Sequence, residues 1–199
     1  MTPSEDAKLD VLHSHYADTF DRIARRLAQR DRLFLYAVVA ISVMLIQVVA
    51  PEDSDAALAA IVGDKLGLPA PLRLSVLGSV LWFVLLGLLL RYFQAVIYVE
   101  RQYGYVHSLE GMLNTCFGGK AFTREGESYS ANYPLFSKWA WWLYTVVFPV
   151  VIVLVLAVKL GAECRPEGRS GWLLAFDATA FATIATSTAL YTLQLHFRR

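Results

Sequence analysis

The sequence predicts an all-α polytopic membrane protein: four transmembrane helices, both termini on the cytoplasmic side, and a helical cytoplasmic stalk. Three observations predict it. Four apolar blocks, at 33–50, 72–97, 139–160 and 172–195, are close to or above the length that a bilayer requires. A hydrocarbon core roughly 30 Å thick takes about 20 apolar residues at 1.5 Å rise each. Hydrophobic residues make up 56% of the 199, charged residues only 18%, and mean hydropathy is +0.45; soluble domains carry more charge and do not gather apolar residues into such runs. Finally, Lys and Arg fall unevenly. Thirteen lie before block one, between blocks two and three (counting Arg91), or after block four, and five (Lys65, Arg73, Lys159, Arg165 and Arg169) lie on the other side. The positive-inside rule then places both ends and the long 2–3 connection in the cytoplasm.

Residues 1–32 read as a cytoplasmic amphipathic helix that continues into the membrane. Thr2, Pro3 and Glu5 make a helix start, with a capping hydroxyl, a proline at the first helical position and a capping-box carboxylate. From Ser4 to Ala50 there is neither Gly nor Pro, and Leu9, Leu12, Tyr16, Phe20, Ile23 and Leu27 recur at helical spacing. The first span, 33–50, is therefore the upper part of one long helix. Residues 51–71, with Glu52, Asp53, Asp55 and Asp64, form an outer loop. The second span, 72–97, meets no stop signal at the membrane surface and extends through 98–114 until Gly118-Gly119 ends it. The two extensions run antiparallel and pair as the stalk. The rest of 98–138 is a polar loop that re-enters at Tyr133-Pro134-Leu135-Phe136.

The third span, 139–160, opens with Trp139, Trp141, Trp142 and Tyr144, rings suited to the membrane interface. Pro149 lies inside it and is expected to kink the helix. A short outer loop, 161–171, leads to the fourth span and cytoplasmic tail, 172–199. Cys116 and Cys164 are placed on opposite sides of the bilayer, so no bond between them within one chain is expected.

Span four is the most polar. Thr179, Thr183, Thr186, Ser187 and Gln194 share one arc about 100° wide, while Asp177, Thr188 and Thr192 lie opposite. The first set is the candidate lining of a pore or cavity; the plainer expectation is hydroxyls bonded to their own backbone in close helix packing. Asp177 sits near the outer boundary, where it is expected to reach water. A helix that is polar on two sides calls for neighbours, hence the expectation of a homo-oligomer. In span two Gly87, Arg91, Gln94, Tyr98, Arg101 and Tyr105 follow one another at steps of three and four. Arg91, Gln94, Arg101, His107, Glu110, Arg124 and Glu125 are the candidate face for a cytoplasmic protein partner or an anionic ligand.

Enzymatic readings are thin. Glu100, His107 and Glu110 share a helix face and could act as an interfacial site, but one His and two Glu make a small ligand set. Arg101 and His107 form an R-x5-H string similar to that of HEPN ribonucleases, about 120° apart on one helix. There is no Gly-rich phosphate loop, nucleophile elbow or Cys/His zinc spacing. No metal or cofactor is expected, and with a net charge of +1 direct nucleic-acid binding is not expected either.

The stretch 101–144, with YGYVHSLEGM and REGESYSANYPLFSKW followed by the aromatic cluster, resembles a segment of small multi-span bacterial inner-membrane proteins. In size and layout the chain is similar to membrane components of antiphage defence systems, such as Kiwa-type membrane subunits and small transmembrane effectors. The positions that carry the resemblance are His107, Glu110, Arg124, Glu125, Tyr129, Tyr133 and Pro134. It implies a non-enzymatic oligomeric sensor or effector, pore-forming or membrane-perturbing, controlled by a cytoplasmic partner or ligand, and it transfers no catalytic residue. The alternative from a different class is a membrane anchor that scaffolds a soluble partner.

Overall fold

A computed structural model describes residues 5–51, 56, 70–116, 135–164 and 171–197. The helix start at Thr2, the Gly118-Gly119 stop, the connections at 52–55, 57–69, 117–134 and 165–170, and with them Arg124, Glu125, Tyr129, Tyr133 and Pro134, lie outside the described residues. All described elements are helical. They are α1 (Glu5–Val49), α2 (Ala70–Cys116), α3 (Leu135–Trp142), a π-helical turn (Leu143–Val147), α4 (Phe148–Glu163) and α5 (Gly171–Phe197). Four helical stretches are long and apolar enough to cross a membrane: Leu9–Val49, Val76–Cys116, Leu135–Glu163 and Gly171–Phe197.

The length of α1 and α2, 45 and 47 residues, follows from what their sequences lack. No proline interrupts the interior of either, and the glycines of α2 (Gly78, Gly87, Gly104 and Gly111) are isolated. Each costs about 1 kcal/mol of helix propensity and none breaks the helix. The chain divides into two compact units. The first joins Met1–Arg32 to Phe93–Trp142, and the second joins Leu33–Tyr92 to Leu143–Arg199. Both α1 and α2 contribute to each unit without a break in the helix.

The first unit is built on an antiparallel pair of helices. Tyr16 meets Glu110 and Arg26 meets Tyr98, so residues rising along α1 pair with residues falling along α2. Ile23, Val99 and Val106 form the buried centre, with Tyr16, Leu27 and Tyr103 packed around them. Further along α2, Leu109 and Leu113 are buried. The seam on α2 runs 99, 103, 106, 110 and 113, alternating steps of four and three, the spacing that keeps one side of a helix on its neighbour. On α1 the expected stripe is shifted at one position. Phe20 is 41% exposed, and Thr19 takes the inward place at 7%. Threonine is tolerated there because its hydroxyl donates to the His15 carbonyl at 2.7 Å and leaves only its methyl to pack.

The second unit joins segments of α1 and α2 to the π-helical turn, α4 and α5, and each of the four α-helical segments buries apolar side chains. Ala37 and Met44, Trp82 and Leu85, Leu156, and Ile184 are essentially inaccessible. Aromatic rings tie α1, α2, the π-helical turn and α4 together: Phe34 lies 5.2 Å from Tyr144, 4.6 Å from Phe148 and 6.2 Å from Tyr92 between ring centroids. Edge-to-face and tilted pairs at these distances add about 0.5–1.5 kcal/mol each beyond area burial. Pro149 is buried at the start of α4, and the π turn lies immediately before it. Proline has no N–H to give the Thr145 carbonyl, and it disfavours helical geometry in the residue before it. A wider turn just upstream is where that mismatch is absorbed.

Candidate functional site

The inward side of α5 is not the hydroxyl arc singled out from the sequence. It is Leu173, Asp177, Ala180, Ile184, Thr188, Tyr191 and Leu195, again at steps of three and four. Asp177 is fully buried, not at water as expected. Ser79 of α2, itself buried, donates its hydroxyl to Asp177 Oδ2 at 3.1 Å. One turn further along α2, the buried Trp82 donates its indole N–H to Glu163 Oε2 at 3.2 Å. Glu163 closes the set by pairing through Oε1 with Lys159 Nζ at 2.9 Å. The Lys159 and Glu163 side chains are 6% and 8% exposed. The loop expected from 161 onward would hold Glu163; the helix instead continues through it, and Glu163 is buried with Lys159 in α4.

This arrangement gathers one ammonium, two carboxylates, a hydroxyl and an indole from three helices into an apolar unit. Each ionised group taken from water costs several kcal/mol, recovered only if partners surround it. The partners are arranged accordingly: the ion pair lies along one helix, and the two cross-helix bonds both originate on α2. The polar set therefore fixes α4 and α5 to one face of α2, in a register that apolar packing alone specifies less sharply. Sequence reasoning missed Ser79, Trp82, Lys159 and Glu163. The signal available was two opposite charges four residues apart at the end of an apolar block.

The predicted cavity lining lies on the opposite surface of α5. Thr179, Thr183 and Thr186 are exposed, Ser187 and Gln194 half-buried. With Ala178 and Ala182, the first four line a shallow, open groove on the outside of the unit. Thr179 donates to the Ala175 carbonyl and Thr183 to the Thr179 carbonyl, both at 2.8 Å. Hydroxyls satisfied in this way offer a smooth, small-residue surface to whatever covers it.

The candidate partner face is divided by the structure. Arg91, Gln94, Arg101 and His107 are all exposed on α2. Glu110 stands apart: it is 3% exposed and accepts the Tyr16 hydroxyl at 3.2 Å, inside the helix pair. Glu100 is half-buried and accepts the Trp141 indole N–H at 3.4 Å. Glu100, His107 and Glu110 thus have three different surroundings, and among the described residues no group of three His, Cys, Asp or Glu could hold a metal ion. Cys116 and Cys164 are exposed free thiols. Comparison with known families, characterised proteins and solved structures finds no match for this chain.

Proposed function

We propose that this chain is a multi-pass protein of the bacterial inner membrane, with both termini cytoplasmic, acting as a non-enzymatic, homo-oligomeric sensor and effector in antiphage defence. The antiparallel helix pair of the first unit is the part that a cytoplasmic protein or ligand engages. The second unit is the part that responds, by repacking α5 against neighbouring copies through its Thr179–Thr183–Thr186–Ser187 surface, so that the membrane is perturbed or a conduction path opens. The observation that carries this reading is that α1 and α2 pass from one unit into the other without a break. In this proposal a displacement at one end of α1 or α2 is passed along the helix, and the packing of α5 is the two-state element that responds. The exposed, back-bonded hydroxyl surface of α5 supports self-association, because small side chains let helix backbones approach closely.

A membrane anchor for a soluble partner is the second reading. It is favoured by Val11, Phe20, Tyr105 and Met112, large apolar side chains exposed on the first unit. Expression in a bacterial host challenged with a phage panel separates the two, read by membrane potential and dye entry together with cross-linking through Thr183→Cys in a background lacking the native cysteines. Our reading predicts cross-linked copies and a fall in potential on infection. It also predicts that Arg32→Pro, which breaks α1 at the limit of the first unit at a cost of about 3 kcal/mol or more, abolishes the response while both units stay folded. A response that survives the broken helix, or a potential unchanged in every infection, contradicts it.

A further inference from the structure

The first unit carries a basic collar at one level, and we propose that it binds the headgroup of an anionic phospholipid, with the acyl chains lying against the indoles of α3. The proposal rests on the membrane reading above but not on defence or on oligomerisation. The contacts fix the level. Arg26 lies 5.1 Å from the centre of the Tyr98 ring, and two residues further along α2 Glu100 accepts the Trp141 indole N–H. Arg22, Arg25 and Arg26 of α1, Arg101 of α2 and Lys138 of α3 therefore come to the same height of the helix pair, and all five are exposed.

Little opposes their charge. Arg25 spends its Nε on the Asp21 carbonyl and Arg26 one amine on Gln29, neither of which neutralises a guanidinium. Arg22, Arg101 and Lys138 make no ion pair among the described residues. The acids near this height are Asp18, one turn from Arg22, Asp21 and Glu100, and Glu100 is already held by Trp141. Five cations against three acids leave an excess that a phosphodiester matches, and guanidinium groups favour such oxyanions geometrically.

The second half of the site is apolar. Leu135, Lys138, Trp139 and Trp142 lie at helical spacing on one face of α3, and Leu135, Trp139 and Trp142 are 86%, 54% and 42% exposed. The Trp139 and Trp142 rings stack with centroids 5.4 Å apart and planes 23° off parallel. Stacked, exposed indoles beside a lysine suit the boundary between headgroups and acyl chains and nothing purely aqueous. Free phosphate would use the cations and ignore the indoles; a phospholipid uses both.

The test is made on the full chain purified in a neutral detergent, by native mass spectrometry and thermal unfolding with added phosphatidylglycerol, phosphatidylcholine or soluble glycerol phosphate. Phosphatidylglycerol is expected to be retained and to raise the unfolding midpoint, and the other two to do neither. The triple variant Arg22→Gln/Arg101→Gln/Lys138→Gln should weaken phosphatidylglycerol binding on the order of a hundredfold at unchanged helicity. Trp139→Ala, which leaves every charge in place, should weaken it by a smaller factor. Equal retention of the two lipids by a chain that needs detergent overturns the collar alone, as does binding of glycerol phosphate that matches phosphatidylglycerol and ignores Trp139→Ala. A chain that stays dispersed in buffer without detergent overturns the collar together with the membrane reading.

Discussion

Replacing Lys159 with Met separates a buried ion pair from a merely adjacent one. The Lys159 and Glu163 side chains are 6% and 8% exposed and meet at 2.9 Å, so solvent screens them little. Removing the ammonium alone leaves a carboxylate in the apolar unit with the Trp82 indole N–H still on Oε2. Breaking one side of such a pair costs roughly 3–5 kcal/mol, or about two to four powers of ten in the folding constant. Glu163→Gln alone strands the ammonium in the same way, but keeps an oxygen for the Trp82 indole. The double variant Lys159→Met/Glu163→Gln carries neither charge, preserves the indole bond and replaces a costly polar pair by neutral groups of similar size. Its total cost should be about 1 kcal/mol or less. The double-mutant cycle thus predicts a coupling of several kcal/mol. It is measured by reversible sodium dodecyl sulfate unfolding in bicelles, followed by tryptophan fluorescence. Single-variant costs that simply add, with a coupling below about 0.5 kcal/mol, would show that the two groups are solvated separately and refute the buried cluster.

The remaining predictions take each unit by itself. Ile23→Ala should cost about 2–4 kcal/mol in the first unit, because Ile23 is 2% exposed, whereas Phe20→Ala, at 41% exposed, should cost under about 1 kcal/mol; amide exchange along α1 and α2 reports both. Tyr16→Phe removes the hydroxyl donated to buried Glu110 and should lower protection of the same amides by about 1–2 kcal/mol. Ser79→Ala withdraws a donor from fully buried Asp177 and should destabilise the second unit by about 1.5–3 kcal/mol in the same bicelle assay, while Thr183→Val, whose hydroxyl serves only its own helix, should change it by less than about 0.5 kcal/mol.

The long helices were legible because their signals are local. An unbroken run from Ser4 to Ala50 without Gly or Pro, and an apolar block that merges into a stalk sequence, leave a helix no place to stop. The seam was legible to within one residue: from Tyr16, steps of three and four are equally helical, and only the partner decides that Thr19 and not Phe20 turns inward. The buried cluster was not legible for a different reason. Whether Lys159, Glu163 and Asp177 meet water or protein depends on Trp82 and Ser79, which lie about 80 to 100 residues away in the chain. Position near the end of an apolar block is compatible with either outcome. Likewise, Pro149 announces an irregularity, but the π turn before it expresses how the neighbouring turn yields, a tertiary matter. The two polar sides of α5 were visible in the sequence, and their assignment, Asp177 inward and Thr183 outward, needed the packed unit.

If a bilayer surrounds the apolar helices as proposed, Cys116 at the end of α2 and Cys164 after α4 are to be found on opposite sides of it. Both thiols are exposed, so a membrane-impermeant maleimide applied to intact cells, then to permeabilised ones, reads their sides directly in the native sequence. The predicted result is Cys164 labelled in intact cells and Cys116 only after permeabilisation; labelling of both under the same condition would contradict it.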